Sequence, residues 1–239
     1  MNHVDKRQGF TLIELMLSMS FLSVLLIAIA MTVIQIGSIY NRGLTLKDVN
    51  QAGGALASEL QRTIANSSSF NVTGVVGSQY VVQAWGGRLC LGQYSYIWNY
   101  GKDINKGNEA NLNIYSNPNS SNRIRFVKVS DSNYFYCTES TGAAKTIDMD
   151  NAVELLSAGE HNLAIHDFKI NNADTASDNK TGQRLYNLEF IIGTNDTTAL
   201  NNPGTGNVSC KLPNEVGSDP TYCLINQFSI VARAGNTIQ

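Results

Sequence analysis

Residues 10–40 read FTLIELMLSMSFLSVLLIAIAMTVIQIGSIY, and the only charged side chain in that stretch is Glu14. Residues 15–37 are 23 consecutive residues without a charge. As a helix, a run of that length crosses a hydrocarbon layer of ~30 Å. Lys6 and Arg7 precede it; Arg42 and Lys47 follow it, so the positive-inside bias favours a cytoplasmic N-terminus only narrowly. A secretory signal has an apolar region of ~7–15 residues and a small-residue exit; this run is longer and has no such exit. A plain membrane anchor explains the length but not Glu14. A carboxylate on the lipid side of a spanning helix costs a few kcal/mol and is a functional hypothesis by default. No basic residue stands three or four positions from it. Its natural partner is a cation from a neighbouring chain, such as a free amino terminus.

The helical pattern continues beyond residue 40. No proline occurs before Pro118, and Val49, Ala52, Leu56, Leu60 and Ile64 recur at spacings of three and four. Asp48, Gln51, Ser58, Glu59, Gln61 and Arg62 lie between them, and residues 66–69 (NSSS) read as a stop. A helix over 10–65 would be ~84 Å long at 1.5 Å per residue. Gly37, Gly43, Gly53 and Gly54 interrupt it at ~1 kcal/mol each relative to alanine. They read either as bends or as tolerated glycines.

From residue 70 the pattern changes to short alternating runs separated by turn-rich gaps. Strands are expected over 80–85, 88–91, 94–100, 123–129, 134–139, 163–170, 184–192 and 227–233. Residues 171–182 and 194–206, rich in Asn, Asp, Thr and Gly, read as loops. The whole is an α+β chain with one β-rich head over residues 70–239. Its 239 residues are 43% hydrophobic and only 15% charged, with net charge −2. That balance excludes a strongly basic nucleic-acid binder and makes disorder a poor description.

The segment Gly9-Phe10-Thr11-Leu12-Ile13-Glu14, with its basic leader and the apolar helix behind it, resembles the processing motif of type IV pilins and type II secretion pseudopilins. The resemblance implies a cytoplasmic leader (1–9), a transmembrane or fibre-core helix (10–40), an amphipathic half (41–66), and an antiparallel sheet head on which the helix packs. It implies that a prepilin peptidase cuts between Gly9 and Phe10, that Phe10 is then N-methylated, and that Glu14 pairs with an amino terminus during assembly. Loss of the leader removes Asp5, Lys6 and Arg7 and takes the net charge to −3. The head is larger than a small major pilin needs. The segments LASELQR (56–62) and CLINQFSIVAR (223–233) look like W-type minor pilins and J-type pseudopilins. The implied role is a minor pilin that initiates, caps or functionalises a fibre. The alternatives are a minor pseudopilin of a secretion system and a fibre-displayed adhesin or DNA receptor. Implied partners are the peptidase, other major and minor pilins and an inner-membrane assembly platform. The chain would be single-pass in the membrane first, with its head extracytoplasmic, and part of an extracellular fibre later.

Cys90, Cys137, Cys210 and Cys223 all follow the apolar run, hence face an oxidising space if the N-terminus is inside. Four cysteines allow three pairings. Cys210 with Cys223 closes a short loop containing Pro213, Gly217 and Pro220, and resembles the C-terminal disulfide loop of many pilins; Cys90 and Cys137 then remain for each other. Four buried thiols are the alternative, and the spacings lack the close pairs that zinc needs. Tyr94, Tyr96, Trp98 and Tyr100 alternate and share one strand face. That face is either a stacking surface for sugars or nucleic-acid bases or a core face packed on the helix. Arg88, Lys102, Lys106, Arg123, Arg125 and Lys128 surround it in sequence, and a DNA-receptive patch requires that they converge in space. No cofactor or metal is expected. Residues 103–109 (DINKGNE) resemble the start of a calcium loop but lack its 12-residue frame; Asp148, Asp150 and Glu154, and Asp174 with Asp178, are the other acidic groups that calcium could use. His161, His166 and Asp167 are the candidates for catalysis. No G-x-S-x-G, H-E-x-x-H or G-x-x-x-x-G-K motif accompanies them, so no enzymatic activity is expected.

Overall fold

One helix, α1 (Leu12–Ala65), carries the chain from the apolar run into the head. The computed structural model describes residues 10–74, 78–84, 86–101, 115–116, 125–138, 145–156, 162–173 and 182–235. The leader, including Gly9, lies outside them, as do Trp85, Lys102, Lys106, Arg123, His161, Asp174, Asp178 and the 103–109 segment. Contacts divide the chain into two units with the boundary between Gly43 and Leu44.

In the first unit no side chain from Phe10 to Tyr40 is buried. Among the described residues α1 is the one helix long and apolar enough to cross a membrane. Its hydroxyls are satisfied within the helix: Ser18 donates to the Leu15 carbonyl, Ser20 to Leu17, Ser23 to Met19 and Thr32 to Ala28, each at 2.8–2.9 Å. Short polar side chains bonded this way add little cost to an apolar surface.

In the second unit α1 buries Thr45, Val49, Gly53, Leu56, Leu60 and Ile64, one stripe at spacings of three and four. Ala52 is half-buried beside it. The strands are β1 (Tyr80–Gln83), β2 (Gly86–Cys90), β3 (Tyr94–Asn99), β4 (Tyr115–Ser116), β5 (Phe126–Ser130), β6 (Lys145–Thr146), β7 (Ala152–Glu154), β8 (Leu163–Asn172), β9 (Arg184–Thr194), β10 (Leu200–Asn201), β11 (Ser209–Cys210) and β12 (Ile225–Ala234). They form a five-stranded sheet in the order β1-β2-β3-β5-β7 and a three-stranded sheet in the order β12-β9-β8, both antiparallel throughout. The Gly101 amide donates to the Ile165 carbonyl at 2.8 Å and ties the two sheets together. Two short ladders, β10–β11 antiparallel and β4–β6 parallel, complete the head. The architecture is α+β, with a long N-terminal helix followed by antiparallel sheets, which is compatible with a pilin fold.

The core lies between the helical stripe and the inward faces of both sheets. Tyr186, Leu188, Phe190 and Ile192 alternate inward from β9 and are fully buried. Trp98 stacks on Phe126 at 5.4 Å and meets Phe168 at 4.5 Å, so aromatic rings from β3, β5 and β8 close the seam between the sheets. Beyond the helix, Phe70 stacks on Tyr186 at 4.0 Å, and its backbone amide and carbonyl both bond the Tyr186 hydroxyl at 2.7 Å.

Three sequence expectations need correction. The strand expected over 134–139 is absent from its described residues, 134–138: Tyr134 is left-handed (φ 53°) and Phe135–Cys137 is a turn of 3-10 helix. The buried Asp131 carboxylate accepts the amides of Phe135 at 2.9 Å and Tyr136 at 3.2 Å and winds the chain back on itself. Alternation of apolar residues there is overridden by an Asp-centred turn. Residues 194–206 are not all loop, because β10 falls among them. Gly53 is neither a bend nor simply a tolerated glycine, because the Phe228 ring of β12 lies against its backbone, where a Cβ would sit 2.0–2.5 Å from three ring atoms.

Candidate functional sites

The N-terminal end of α1 is built by Thr11 and Glu14. The Thr11 amide donates to Glu14 Oε2 at 3.1 Å and the Thr11 hydroxyl to the same oxygen at 2.9 Å, while the Glu14 amide faces Thr11 Oγ1 at 3.4 Å. This is a reciprocal capping box of the T-x-x-E kind. The T-x-x-E spacing of Thr11 and Glu14 carries that signal in the sequence. The carboxylate is therefore engaged within its own chain, at the residue directly after Phe10. Phe10 itself is exposed.

The four alternating aromatics, three in β3 and Tyr100 just after it, separate into three inner residues and one at the rim. Tyr96 and Trp98 are fully buried and Tyr100 is packed against the core, so these three form no stacking surface for a ligand. Tyr96 donates to Thr63 Oγ1 at 2.7 Å, which locks β3 to the helix. The Tyr100 hydroxyl donates to the Phe168 carbonyl at 3.2 Å, and burial pushes its pKa up to about 12. Tyr94 is half-exposed, with Lys128 Nζ 3.8 Å from its ring centroid. Among the described members of the basic set, Arg88 and Arg125 are buried and only Lys128 reaches the rim; Lys102, Lys106 and Arg123 lie outside the described residues.

Lys128 belongs to a small ionic node. Glu59 Oε1 accepts from Lys128 Nζ at 2.7 Å and from Thr63 Oγ1 at 3.2 Å, and its other oxygen pairs with Arg62. Burial alone would raise the Glu59 pKa; the bonds from Lys128 and Arg62 outweigh it and leave the carboxyl below its usual range. The node joins the last turns of α1 to β5. Around it lies an open cleft of about 350 Å³, lined by side chains that include Arg62, Asn66, Gln93, Tyr94 and Lys128.

The structure pairs Cys90 with Cys137 and Cys210 with Cys223. The first ties β2 to the 3-10 turn and the second ties β11 to the start of β12. The closed loops, with separations of 47 and 13 residues, correspond to roughly 4 and 3 kcal/mol in the chain-entropy account.

Of the described acidic candidates, Asp148 and Glu154 are engaged with the polypeptide. Asp148 accepts from the Asp150 amide and the Asn151 side chain. Glu154 accepts three backbone amides, from Arg125, Phe126 and Leu156; burial still pushes its pKa up to about 7. Among the described residues no group of three or more His, Cys, Asp or Glu side chains gathers as metal ligands would. His166 is fully buried at a β-bulge, where the β8 register shifts between Ile165 and Asp167. Its Nε2 lies 3.2 Å from the Thr194 carbonyl and its Nδ1 accepts the Gly204 amide at 3.2 Å. Both nitrogens hold backbone, which is the work of a structural clamp on the segment after β10. Asp167 pairs with Lys169 at 2.5 Å. No sequence signal announced the bulge. No family model, no curated protein and no solved structure matches this chain.

Proposed function

We propose that the chain is a minor pilin: a precursor cleaved between Gly9 and Phe10 by a prepilin peptidase, methylated at Phe10, and built into a type IV fibre through the first half of α1. The observation that carries this reading is the contrast between the two halves of the helix. The second half is buried in its own head, whereas the first exposes every large apolar side chain from Phe10 to Tyr40. Each such side chain gains roughly 1.5–3 kcal/mol on leaving water. A membrane supplies that burial before assembly and neighbouring helices supply it in a fibre. The assembly platform and other pilins are the partners, the head stays outside the inner membrane, and the subunit performs no catalysis.

Glu14 provides the test, because capping and charge pairing respond differently to its amide. Gln preserves a capping box but cannot form an ion pair with an amino terminus. Glu14→Gln is expected to leave the protein folded and membrane-inserted, yet remove it from sheared fibres. Incorporation of Glu14→Gln at the wild-type level reduces Glu14 to a helix cap and removes its assembly role.

A further inference from the structure

The cleft beside the Glu59 node gathers polar groups that the protein itself does not use. Arg62 keeps 71% of its side chain exposed and spends only part of its guanidinium on Glu59. Asn66, Gln93 and Tyr94 line the same space, and their side-chain polar groups make no protein hydrogen bond among the described residues. Leu91 and the Tyr94 ring give it an apolar wall. Lys128, 17% exposed, reaches the edge of the cleft with one side held by Glu59 and the other lying over Tyr94. We propose that this cleft is a binding site for a carboxylated sugar, with the free edge of Arg62 receiving the carboxylate.

Each feature of the ligand follows from a feature of the cleft. Arg62 and Lys128 against Glu59 leave one net positive charge, which suits one carboxylate. A guanidinium presents parallel N–H groups that fit a carboxylate in bidentate fashion. The amides of Asn66 and Gln93 both donate and accept, which suits hydroxyl groups. The lining is mostly polar, which suits a hydroxylated ligand rather than an apolar one, and about 350 Å³ falls at the small end of the range for small-ligand sites. A polyanion fits less well. Nucleic-acid binding draws on several cations and a favourable long-range field, whereas this chain has net charge −2 and buries Arg88 and Arg125.

The test uses the full chain in a sugar-free zwitterionic detergent and ligand-observed NMR. The probes are N-acetylneuraminic acid and glucuronic acid, with glucose, acetate and a thymidine oligonucleotide as comparisons. Saturable binding is expected for a carboxylated sugar, with glucose and acetate at least about 10-fold weaker. Arg62→Ala and Gln93→Ala should each weaken binding about 10-fold or more, roughly 1.4 kcal/mol. Gln93 lies outside the Glu59 node, so its variant keeps the wild-type unfolding temperature and separates lost contacts from lost folding. Absence of saturable binding by either acid, binding unaffected by both substitutions, or displacement of the sugar by the oligonucleotide at lower concentration overturns the proposal.

Discussion

Gly53 and Gly54 are adjacent in sequence and opposite in consequence. Both lie inside α1, where replacing glycine by alanine gains about 1 kcal/mol of helix propensity. At Gly54 an added Cβ meets nothing within 4 Å. Gly54→Ala therefore stabilises the head by about 1 kcal/mol. At Gly53 the Cβ would lie 2.0, 2.3 and 2.5 Å from Phe228 ring atoms, so the ring must move. That ring stacks on Phe190 at 5.3 Å, and such pairs contribute about 0.5–1.5 kcal/mol. Overpacking of this kind costs about 1–3 kcal/mol. Set against the propensity gain, Gly53→Ala is expected to lose up to about 2 kcal/mol and to fall about 1–3 kcal/mol below Gly54→Ala. For a unit of about 200 residues, 1 kcal/mol moves Tm by about 2–4 °C. Thermal unfolding of the full chain in detergent, followed by circular dichroism, should separate the two variants by about 2–12 °C. Phe228→Leu in the Gly53→Ala background should cost less than in the wild type, because the clash and the ring are coupled. Equal stabilisation by the two alanines would refute the packing argument and return Gly53 to a merely tolerated glycine.

Two further predictions concern pH and the disulfides. Burial lowers the His166 pKa, so the unfolded chain binds its proton more readily; that contribution to stability is complete above about pH 6.5 and declines below it towards the folded pKa. Glu154 acts oppositely: with its folded pKa raised to about 7, its contribution is complete below its usual range and is lost as pH rises through about 7. Denaturant titrations from pH 5 to 8 should show His166→Gln flattening the acid limb and Glu154→Gln the neutral limb; unchanged pH slopes in both variants contradict the assignment. Replacing Cys210 and Cys223 together by alanine should cost roughly 3 kcal/mol by the chain-entropy account and expose the segment after β10 to protease first. Uniform proteolysis of the head would count against the idea that this bond, with His166, staples that segment.

The large elements of the fold were legible because each rests on a simple period. Thirty-one residues with one charge can only be a lipid- or protein-covered helix, and the 3–4 spacing from Val49 to Ile64 marks the face that α1 buries. Alternation in 94–100, 163–170 and 184–192 located β3, β8 and β9. What escaped depended on specific long-range partners. The bulge at His166 exists because Thr194 and Gly204, 28 and 38 residues away, both need the imidazole. The turn at 134–138 follows from one buried carboxylate capping amides that alternation would have assigned to a ladder. Tyr96 and Trp98 of β3 share an inward face as expected; which way that face points depends on the helix stripe that covers it. The cleft at Arg62 had no sequence pattern, because α1, the turn after β2 and β5 meet there only in space.

The most direct measurement is the mature N-terminus of the native protein, read by mass spectrometry from envelope material of wild type and of Gly9→Ala. The account predicts a chain beginning at N-methylated Phe10 in the wild type and an unprocessed leader in the variant. A wild-type chain that retains its leader in cells with active prepilin peptidase contradicts it and leaves a membrane-tethered β-rich head with no place in a fibre.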